Sequence, residues 1–316
     1  MICIFAFAFC EYRALEVAFE SAFFKVLRLF CRNNRLTQRI LSSKRCQWKL
    51  IMSCKLTLLV ENTAPRCEKL DSEHGLSVFV ETPNTKFVFD CGQTGIAWKN
   101  ALKLGIDLKK VEFVILSHSH YDHAGGFPSL LNYCRPKAVY VGRNFWREKF
   151  SYDRENNRYI PKGCGFTKND LYSWNIETIE CRDTLKLDSF ARLFTNFDKI
   201  YSFERIPSKF VYGNKKEPDP FDDEICLLLQ ETDGFALVVG CSHQGILNIT
   251  ATVKKRTGLP VRRIIGGIHL NGEGQERIDK TLSELKRLGV REFNLCHCSG
   301  TNVPGKITTG TVIELV

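Results

Sequence analysis

A short apolar run that ends in a cluster of histidines is the feature that most constrains this chain. Val114, Ile115 and Leu116 predict a strand buried on both faces. Four polar side chains follow it within six positions, namely His118, His120, Asp122 and His123. Residues two apart at a strand end point the same way, and imidazole and carboxylate groups suit zinc or iron. A single buried histidine usually forms a hydrogen bond and has no further role. Three histidines and an aspartate so close together instead predict a metal site.

Other histidines repeat the same arrangement far along the chain. Three of the seven each stand behind a strand-like run at a turn that contains Gly or Cys, and these are His243, His269 and His297. A site that lies where several strands end draws its ligands from segments that are far apart in the sequence. The pattern therefore supports a two-metal site.

The motif His-x-His-x-Asp-His followed by Gly-Gly resembles the signature of the metallo-β-lactamase fold superfamily. The match is most similar to the dihydropterin synthase-like branch, which is named for an archaeal enzyme of methanopterin biosynthesis, and it runs in order over residues 54–316. The other matching segments are 72–77, 89–92, 240–243, 266–270 and 297–300. The resemblance implies a mixed α+β and α/β fold, a four-layer αβ/βα sandwich.

The resemblance also implies two divalent metal ions, each held by three side chains. The first set is His118, His120 and His243, and the second is Asp122, His123 and His269. Zinc is the expected ion, and iron and manganese suit the same ligands. Cys241 stands where many members of the superfamily have an aspartate that bridges the metals. His243 is assigned as the ligand there, and thiolate ligation by Cys241 is left open.

Two residues are expected to be catalytic. Asp122 would accept a proton from the attacking water or orient it. His297 could contact an oxyanion or a phosphate of the substrate, and the alternative is a histidine that only supports the site. Two metals about 3.5–4 Å apart can hold a bridging hydroxide and polarise the substrate.

Further polar positions are interpreted from where they stand in the chain. Asp90 ends a predicted strand, where the superfamily keeps an aspartate behind the metals, so it is expected to orient a ligand or a loop. Glu73 and His74 precede another strand and either cap a turn or line the pocket. The acidic run at 222–224 leads into an apolar strand and is interpreted as a solvated strand entrance.

Changes in composition along the chain predict its domain boundaries. Residues 1–51 are expected to lie outside the fold, either as a transit-like segment or as an over-extension of the coding sequence, because no acidic residue occurs from Ser21 to Val60 and Met52 precedes the first strand. Residues 52–316 are expected to form the metallo-β-lactamase-like domain. Within it, the irregular stretch 143–224 predicts an insert or lid.

Charge and cysteine content narrow the function classes. The chain carries a net charge of +10, but residues 52–316 hold 36 basic and 32 acidic side chains, which is no nucleic-acid signature. No run reaches the roughly 18 apolar residues that span a bilayer. Scattered cysteines without a scaffold spacing favour a reducing compartment, so a cytoplasmic location is expected, or a mitochondrial one if 1–51 is a transit segment. Cys296 and Cys298 are interpreted as apolar packing.

Three functions compete at this point. The favoured one is a metal-dependent hydrolase or transferase that acts through a metal-activated hydroxide on a small phosphorylated or ester-type metabolite. The second is a metallo-nuclease, and the third is a non-catalytic or redox metal-binding protein. The expected partner is a small-molecule substrate rather than nucleic acid or membrane, and the oligomeric state is left open.

Overall fold

Two mixed β-sheets packed face to face organise the residues that the computed structural model describes, which are 53–65 and 69–315. The expectation for residues 1–51 lies outside this described part. No helix of the described residues is both long and apolar enough to cross a bilayer.

The first sheet contains the strand that leads to the histidine cluster. Its strands are β1 (Cys54–Val60), β2 (Ser77–Glu81), β3 (Lys86–Phe89), β4 (Phe113–Ile115), β5 (Ala138–Gly142), β8 (Glu177–Cys181) and β17 (Val312–Leu315). The lateral order is β17-β1-β2-β3-β4-β5-β8, with β3, β4, β5 and β8 parallel. Val114 and Ile115 are fully buried in β4, as the unbroken apolar run predicts.

The second sheet brings three parallel strands to the same edge. Its strands are β9 (Thr184–Lys186), β10 (Ala191–Phe194), β13 (Cys226–Glu231), β14 (Gly234–Val239), β15 (Val261–Gly266) and β16 (Glu292–Leu295). The lateral order is β16-β15-β14-β13-β10-β9, and β14, β15 and β16 are parallel. The three segments that follow these strands therefore leave the sheet on the same side. The segment after β14 carries Cys241 and His243, the segment after β15 carries His269, and the segment after β16 carries His297.

The stretch 143–224, which was expected to form an insert, is divided between the main sheets and a small sheet of its own. β8, β9 and β10 extend the two large sheets. The small sheet contains β6 (Lys149–Asp153), β7 (Arg158–Pro161), β11 (Phe210–Tyr212) and β12 (Glu217–Pro218), in the order β12-β11-β6-β7. An isolated bridge between His120 and Gly163 attaches the β6–β7 region to the histidine loop.

Helices cover the outer faces of both sheets. They are α1 (Ile96–Lys103), α2 (Tyr121–Ala124), α3 (Phe127–Leu130), α4 (Lys168–Ser173), α5 (Ile246–Thr257) and α6 (Gln275–Leu288). One apolar cluster joins the inner faces of the two sheets, a second joins α1, α3 and α4 to the first sheet, and a third joins α5 and α6 to the second sheet. These layers confirm the predicted αβ/βα sandwich.

Candidate metal centre

The predicted site lies where the carboxyl ends of strands from both sheets meet. β4 leads into the loop that holds His118, His120 and Asp122. Strand β14 leads to His243, and β16 leads to His297. Ligands of sheet proteins usually bind outside the carboxyl ends of parallel strands, because the loops that follow them converge there.

Three imidazoles form the first group of this site. His118, His120 and His243 have ring nitrogens within 4.8 Å of one another. The side chains are buried, and Nε2 of His118, Nε2 of His120 and both ring nitrogens of His243 have no hydrogen-bond partner among the described residues. Burial holds the pKa of each of these histidines well below its usual value, so each ring is neutral with a free lone pair. Buried nitrogens without partners are costly, and a bound cation would satisfy them.

Asp122, His123 and His297 form the second group. The Nε2 atoms of His123 and His297 are 3.2 Å apart. Asp122 Oδ2 lies 3.4 Å from His297 Nε2 and 3.9 Å from His123 Nε2. His74 approaches the same carboxylate from the solvent side, with its Nε2 3.2 Å from Oδ2. A carboxylate and imidazole nitrogens that point at one another suit zinc, iron or manganese.

The charges of this second group favour a cation between them. Burial alone would raise the pKa of Asp122, but the imidazoles of His123, His297 and His74 outweigh it and hold the pKa well below its usual range. Burial would likewise lower the pKa of His123, whereas the carboxylates of Asp90 and Asp122 raise it to about 9. Desolvation lowers the pKa of His297 to about 4. A metal ion could therefore replace the proton that the Asp90 and Asp122 carboxylates otherwise hold on His123.

The structure places His269 and His297 differently from the sequence assignment. The assignment put His269 beside Asp122 and His123, whereas His297 lies there. The His269 ring instead lies 4.5 Å from the ring of His243 and faces the pocket. Contacts with the loop after β1 hold His297 in place: its backbone N–H donates to Glu61 Oε2 over 3.1 Å, and its Nδ1 is 2.9 Å from Asn62 Oδ1.

The sequence contains a signal for the two residues that support His297. Glu61 and Asn62 directly follow β1, which ends in an apolar run, and Glu61 is buried. A polar pair at a strand end beside a metal site is a candidate support for a ligand.

Asp90 orients two of the cluster histidines, as its position predicts. Its Oδ2 lies 2.7 Å from His123 Nδ1 and accepts a hydrogen bond from Ser117 Oγ over 2.7 Å. Ser117 Oγ is in turn 3.0 Å from His118 Nδ1. Gly240 permits this packing, because a Cβ there would lie 2.1 Å from Ser117 Oγ. Both histidines therefore present Nε2 to the site.

Replacing Asp90 with asparagine should lower the affinity for the bound metal by about 10–100-fold, because the amide keeps the size of the side chain but loses the charge that orients His123. Competition with a chromophoric chelator measures the affinity. The exposed Asp198→Asn serves as a control and should not change it. Unchanged affinity in Asp90→Asn would show that the contact does not support the ligand.

The acidic run at 222–224 is not a solvated strand entrance, since Asp223 and Glu224 are buried. Asp223 Oδ2 accepts the backbone N–H of Ser119 over 2.9 Å, within the histidine loop. Glu224 accepts the backbone N–H groups of His243 and Gln244 over 2.7 and 2.8 Å. Burial raises the pKa of Glu224 to about 7. Residues 219–224, here called the acidic brace, thus connect the two loops that carry the first group.

A buried lysine pairs with two carboxylates of the acidic brace. Lys149 Nζ lies 2.6 Å from Asp223 Oδ1 and 3.1 Å from Asp219 Oδ2. Burial would lower the pKa of Lys149, but the two carboxylates outweigh it and raise it. The same ammonium lies 4.3 Å from the centre of the Phe221 ring, which stacks on His243 at 3.9 Å. The sequence did not reveal this lysine, because it lies about 70 residues from its partners.

Lys149→Met should destabilise the fold by about 3–5 kcal/mol, since it leaves two buried carboxylates without a counter-charge. Urea denaturation measures the loss. Lys137→Met is a matched control, because that side chain is 83% exposed and its ion pair among the described residues is a surface one with Glu112; the free energy of unfolding of this variant should change by less than about 0.5 kcal/mol. Equal stability of the two variants would contradict the role of the buried ion pairs.

A pocket of about 270 Å³ opens beside both groups. Besides the histidines and Asp122, its walls include Asn62, Tyr121, Lys162, Lys209 and Asn271. The Lys162 and Lys209 ammonium groups lie 5.0 and 5.2 Å from the ring centres of Tyr121 and Phe210. Glu73, by contrast, caps a turn by accepting the backbone N–H groups of Gln93 and Thr94.

Comparisons with known proteins agree with this fold. The family model of the metallo-beta-lactamase superfamily matches residues 71–169. A solved metal-dependent hydrolase of the beta-lactamase superfamily superposes with a TM-score of 0.70 at 27% identity, over 83% of this chain and 99% of that one.

Two curated relatives come from Methanocaldococcus jannaschii. One is named 7,8-dihydropterin-6-methyl-4-(beta-D-ribofuranosyl)-aminobenzene-5'-phosphate synthase, and it is 29% identical over 78% of this chain and 87% of its own length. The other is an uncharacterized protein, 26% identical over 80% of this chain and 93% of its own. The chain is thus similar to proteins of the dihydropterin synthase-like branch. On its fold, its histidine motif and these matches, the chain is similar to members of the metallo-β-lactamase superfamily.

Proposed function

We propose that this chain is a dinuclear metal-dependent hydrolase or transferase that acts on a small phosphorylated or ester-type metabolite. The observation that carries the proposal is the convergence of two groups of ligands, with buried imidazole nitrogens that lack partners among the described residues. Residues 52–316 would form the catalytic domain. Zinc is the proposed ion, with iron and manganese as alternatives that suit the same ligands.

The two groups would divide the ligands between two cations. The first cation would be held by His118, His120 and His243, and the second by Asp122, His123 and His297. When bound, such ions lower the pKa of a water molecule to about 7 and polarise a substrate oxygen. His269, which sequence reasoning assigned to the second ion, faces the pocket and would contact the substrate instead.

The residues around the pocket would perform the remaining steps. Asp122 is ionised, belongs to the second group and lines the pocket, so its carboxylate would orient the attacking water and accept its proton. Lys162 and Lys209 carry ammonium groups that form no ion pair with a described carboxylate. These two lysines would neutralise the phosphate or carboxylate of a substrate whose reacting bond lies at the metals.

Several observations favour a small molecule over nucleic acid. The pocket of about 270 Å³ accommodates a metabolite-sized group, and residues 52–316 carry little net charge. The name of the curated synthase describes a product with a 5'-phosphate, which supports a phosphorylated substrate here. A cytoplasmic location is part of the proposal, because the cysteines are scattered without a disulfide spacing.

Elemental analysis of protein that begins at Met52, together with a panel of phosphoesters and lactones, tests the proposal. We expect two equivalents of metal and turnover of one class of substrate. Chelation should abolish the activity, and readdition of the metal should restore it. Protein that holds no metal, or activity that survives complete chelation, would refute the proposal.

A further inference from the structure

A second cavity of about 260 Å³ adjoins the pocket at the metal centre. His243 and His269 line both, so the two cavities meet at these residues. The other walls of the second cavity come from the stretch between β10 and β11, from the start of α5, and from the segment that leads from β15 into α6. A ligand bound at the metal centre would reach this cavity past the two histidines.

Two glutamates and two arginines line the second cavity, namely Glu204, Glu273, Arg205 and Arg277. The carboxylate of Glu204 is occupied by groups of the protein. Its side chain is 1% exposed, it accepts the backbone N–H groups of Leu247 and Asn248 over 3.1 and 2.8 Å, and its Oε1 lies 3.7 Å from Arg277 Nη2. Glu204 therefore fixes the wall of the cavity and offers no free carboxylate to a ligand.

The two guanidinium groups, by contrast, retain donors for a ligand. Arg277 donates from Nη1 to Thr281 Oγ1, and the centre of its guanidinium group lies 4.6 Å from the centre of the Phe203 ring. Arg205 is exposed and forms no ion pair with a carboxylate of the described residues. A guanidinium group has five N–H donors in a planar arrangement that suits carboxylate and phosphate groups.

One stretch of the chain supplies a cation to each cavity. The stretch between β10 and β11 carries Arg205, which lines the second cavity, and Lys209, which lines the first. Glu204 and Asn248 hold this stretch against α5, because Asn248 Oδ1 also accepts the backbone N–H groups of residues 200 and 201 over 2.8 and 2.7 Å. The backbone that carries both cations is therefore in place before a ligand binds, which reduces the entropic cost of binding.

We propose that the second cavity is an anion subsite, in which Arg205 and Arg277 bind a phosphate or carboxylate group. The inference rests on the proposed function, because the subsite extends the site of a substrate that reacts at the metals. The anion is either a second charged group of that substrate or a separate small molecule. Glu273 is exposed and forms no ion pair with a cation of the described residues, so its carboxylate weakens the binding of the anion.

Isothermal titration calorimetry of the chelator-stripped full chain with inorganic phosphate tests the subsite in the absence of metal. The wild type should bind one phosphate at Lys162 and Lys209 and another in the second cavity. Arg205→Gln should weaken the second binding event by about 10-fold, as expected for loss of one hydrogen bond to a charged group. Glu273→Gln should strengthen the same event. Arg291→Gln is the control and should change neither, because this exposed arginine precedes β16, at the end of the strand remote from the metal centre.

A series of α,ω-alkanediol bisphosphates distinguishes the two sources of the anion. If one substrate carries both charged groups, a bisphosphate of matching length should bind one to one and more tightly than phosphate, because binding of one end raises the effective concentration of the other. Arg205→Gln should then remove this gain. If the anion is a separate molecule, no bisphosphate should bind more tightly than phosphate, and Arg205→Gln should still weaken the binding of phosphate.

Equal binding of phosphate by the wild type, Arg205→Gln and Glu273→Gln would overturn the subsite. Both side chains belong to exposed residues, so a failure to fold is not expected to obscure this result. Such an outcome would leave the proposed function standing, because metal analysis and chelation decide that function independently. Absence of bound metal in those experiments, with phosphate binding that depends on Arg205, would overturn the proposed function and retain an anion site.

Discussion

Asp122→Asn should lower metal-dependent turnover by about 10²–10⁴-fold, the range expected for loss of a general base. The carboxylate has two proposed tasks, since its Oδ2 faces the ring nitrogens of His297, His123 and His74 and borders the pocket. An asparagine keeps the shape but removes the negative charge. It therefore weakens binding of the second cation and cannot take up a proton from the attacking water.

Metal content and turnover, measured on the same sample, separate these two tasks. We expect about one equivalent of metal to be lost or weakly held, and turnover to stay low even when excess metal refills the site. Asp198→Asn, an exposed aspartate far along the chain, is the control and should retain both properties. Full activity of Asp122→Asn at saturating metal would show that Asp122 is a ligand only.

His120→Ala should remove the first cation and lower turnover by at least about 100-fold. Loss of a residue that only supports a metal ligand costs up to about 100-fold, and loss of a ligand itself should cost at least as much. The ring centre of His120 lies 4.7 Å from that of His118 and 5.0 Å from that of His243, and its Nε2 has no partner among the described residues. The remaining two imidazoles cannot complete a three-ligand site.

Elemental analysis should give one equivalent of metal for this variant instead of two. His120→Gln controls for the cavity that alanine leaves, because glutamine fills a similar volume yet is a poor metal ligand. Both variants should lose the same ion. Retention of two equivalents in both would place the first cation elsewhere.

The sequence predicted those parts of the site that are local. The cluster from His118 to His123 follows an apolar strand within a few residues, so periodicity and residue chemistry were sufficient to predict it. His243 followed in the same way from the end of β14. The layered fold was expected from the resemblance to the superfamily, and the structure confirms it.

The remaining parts depend on how loops turn after the strands end. Ser242, His269 and His297 adopt positive φ angles of 56°, 50° and 55°. Non-glycine residues rarely take up this conformation, and when they do it often marks a functional site. No sequence pattern announces these turns, and they decide which of His269 and His297 meets Asp122. Such distant contacts also explain why the burial of the acidic brace was missed.

The bridge between His120 and Gly163 has a consequence for how the pocket can vary among related chains. The backbone N–H of Tyr121 also donates a hydrogen bond to the Lys162 carbonyl over 2.9 Å. The segment after β7, which borders the pocket, is therefore hydrogen-bonded to the loop that carries the proposed metal ligands. A displacement of this segment, or an insertion in it, would move the His120 imidazole. If the proposed function holds, exchanges of the Ser151 and Phe210 side chains, which line the pocket, would alter substrate preference without moving this backbone.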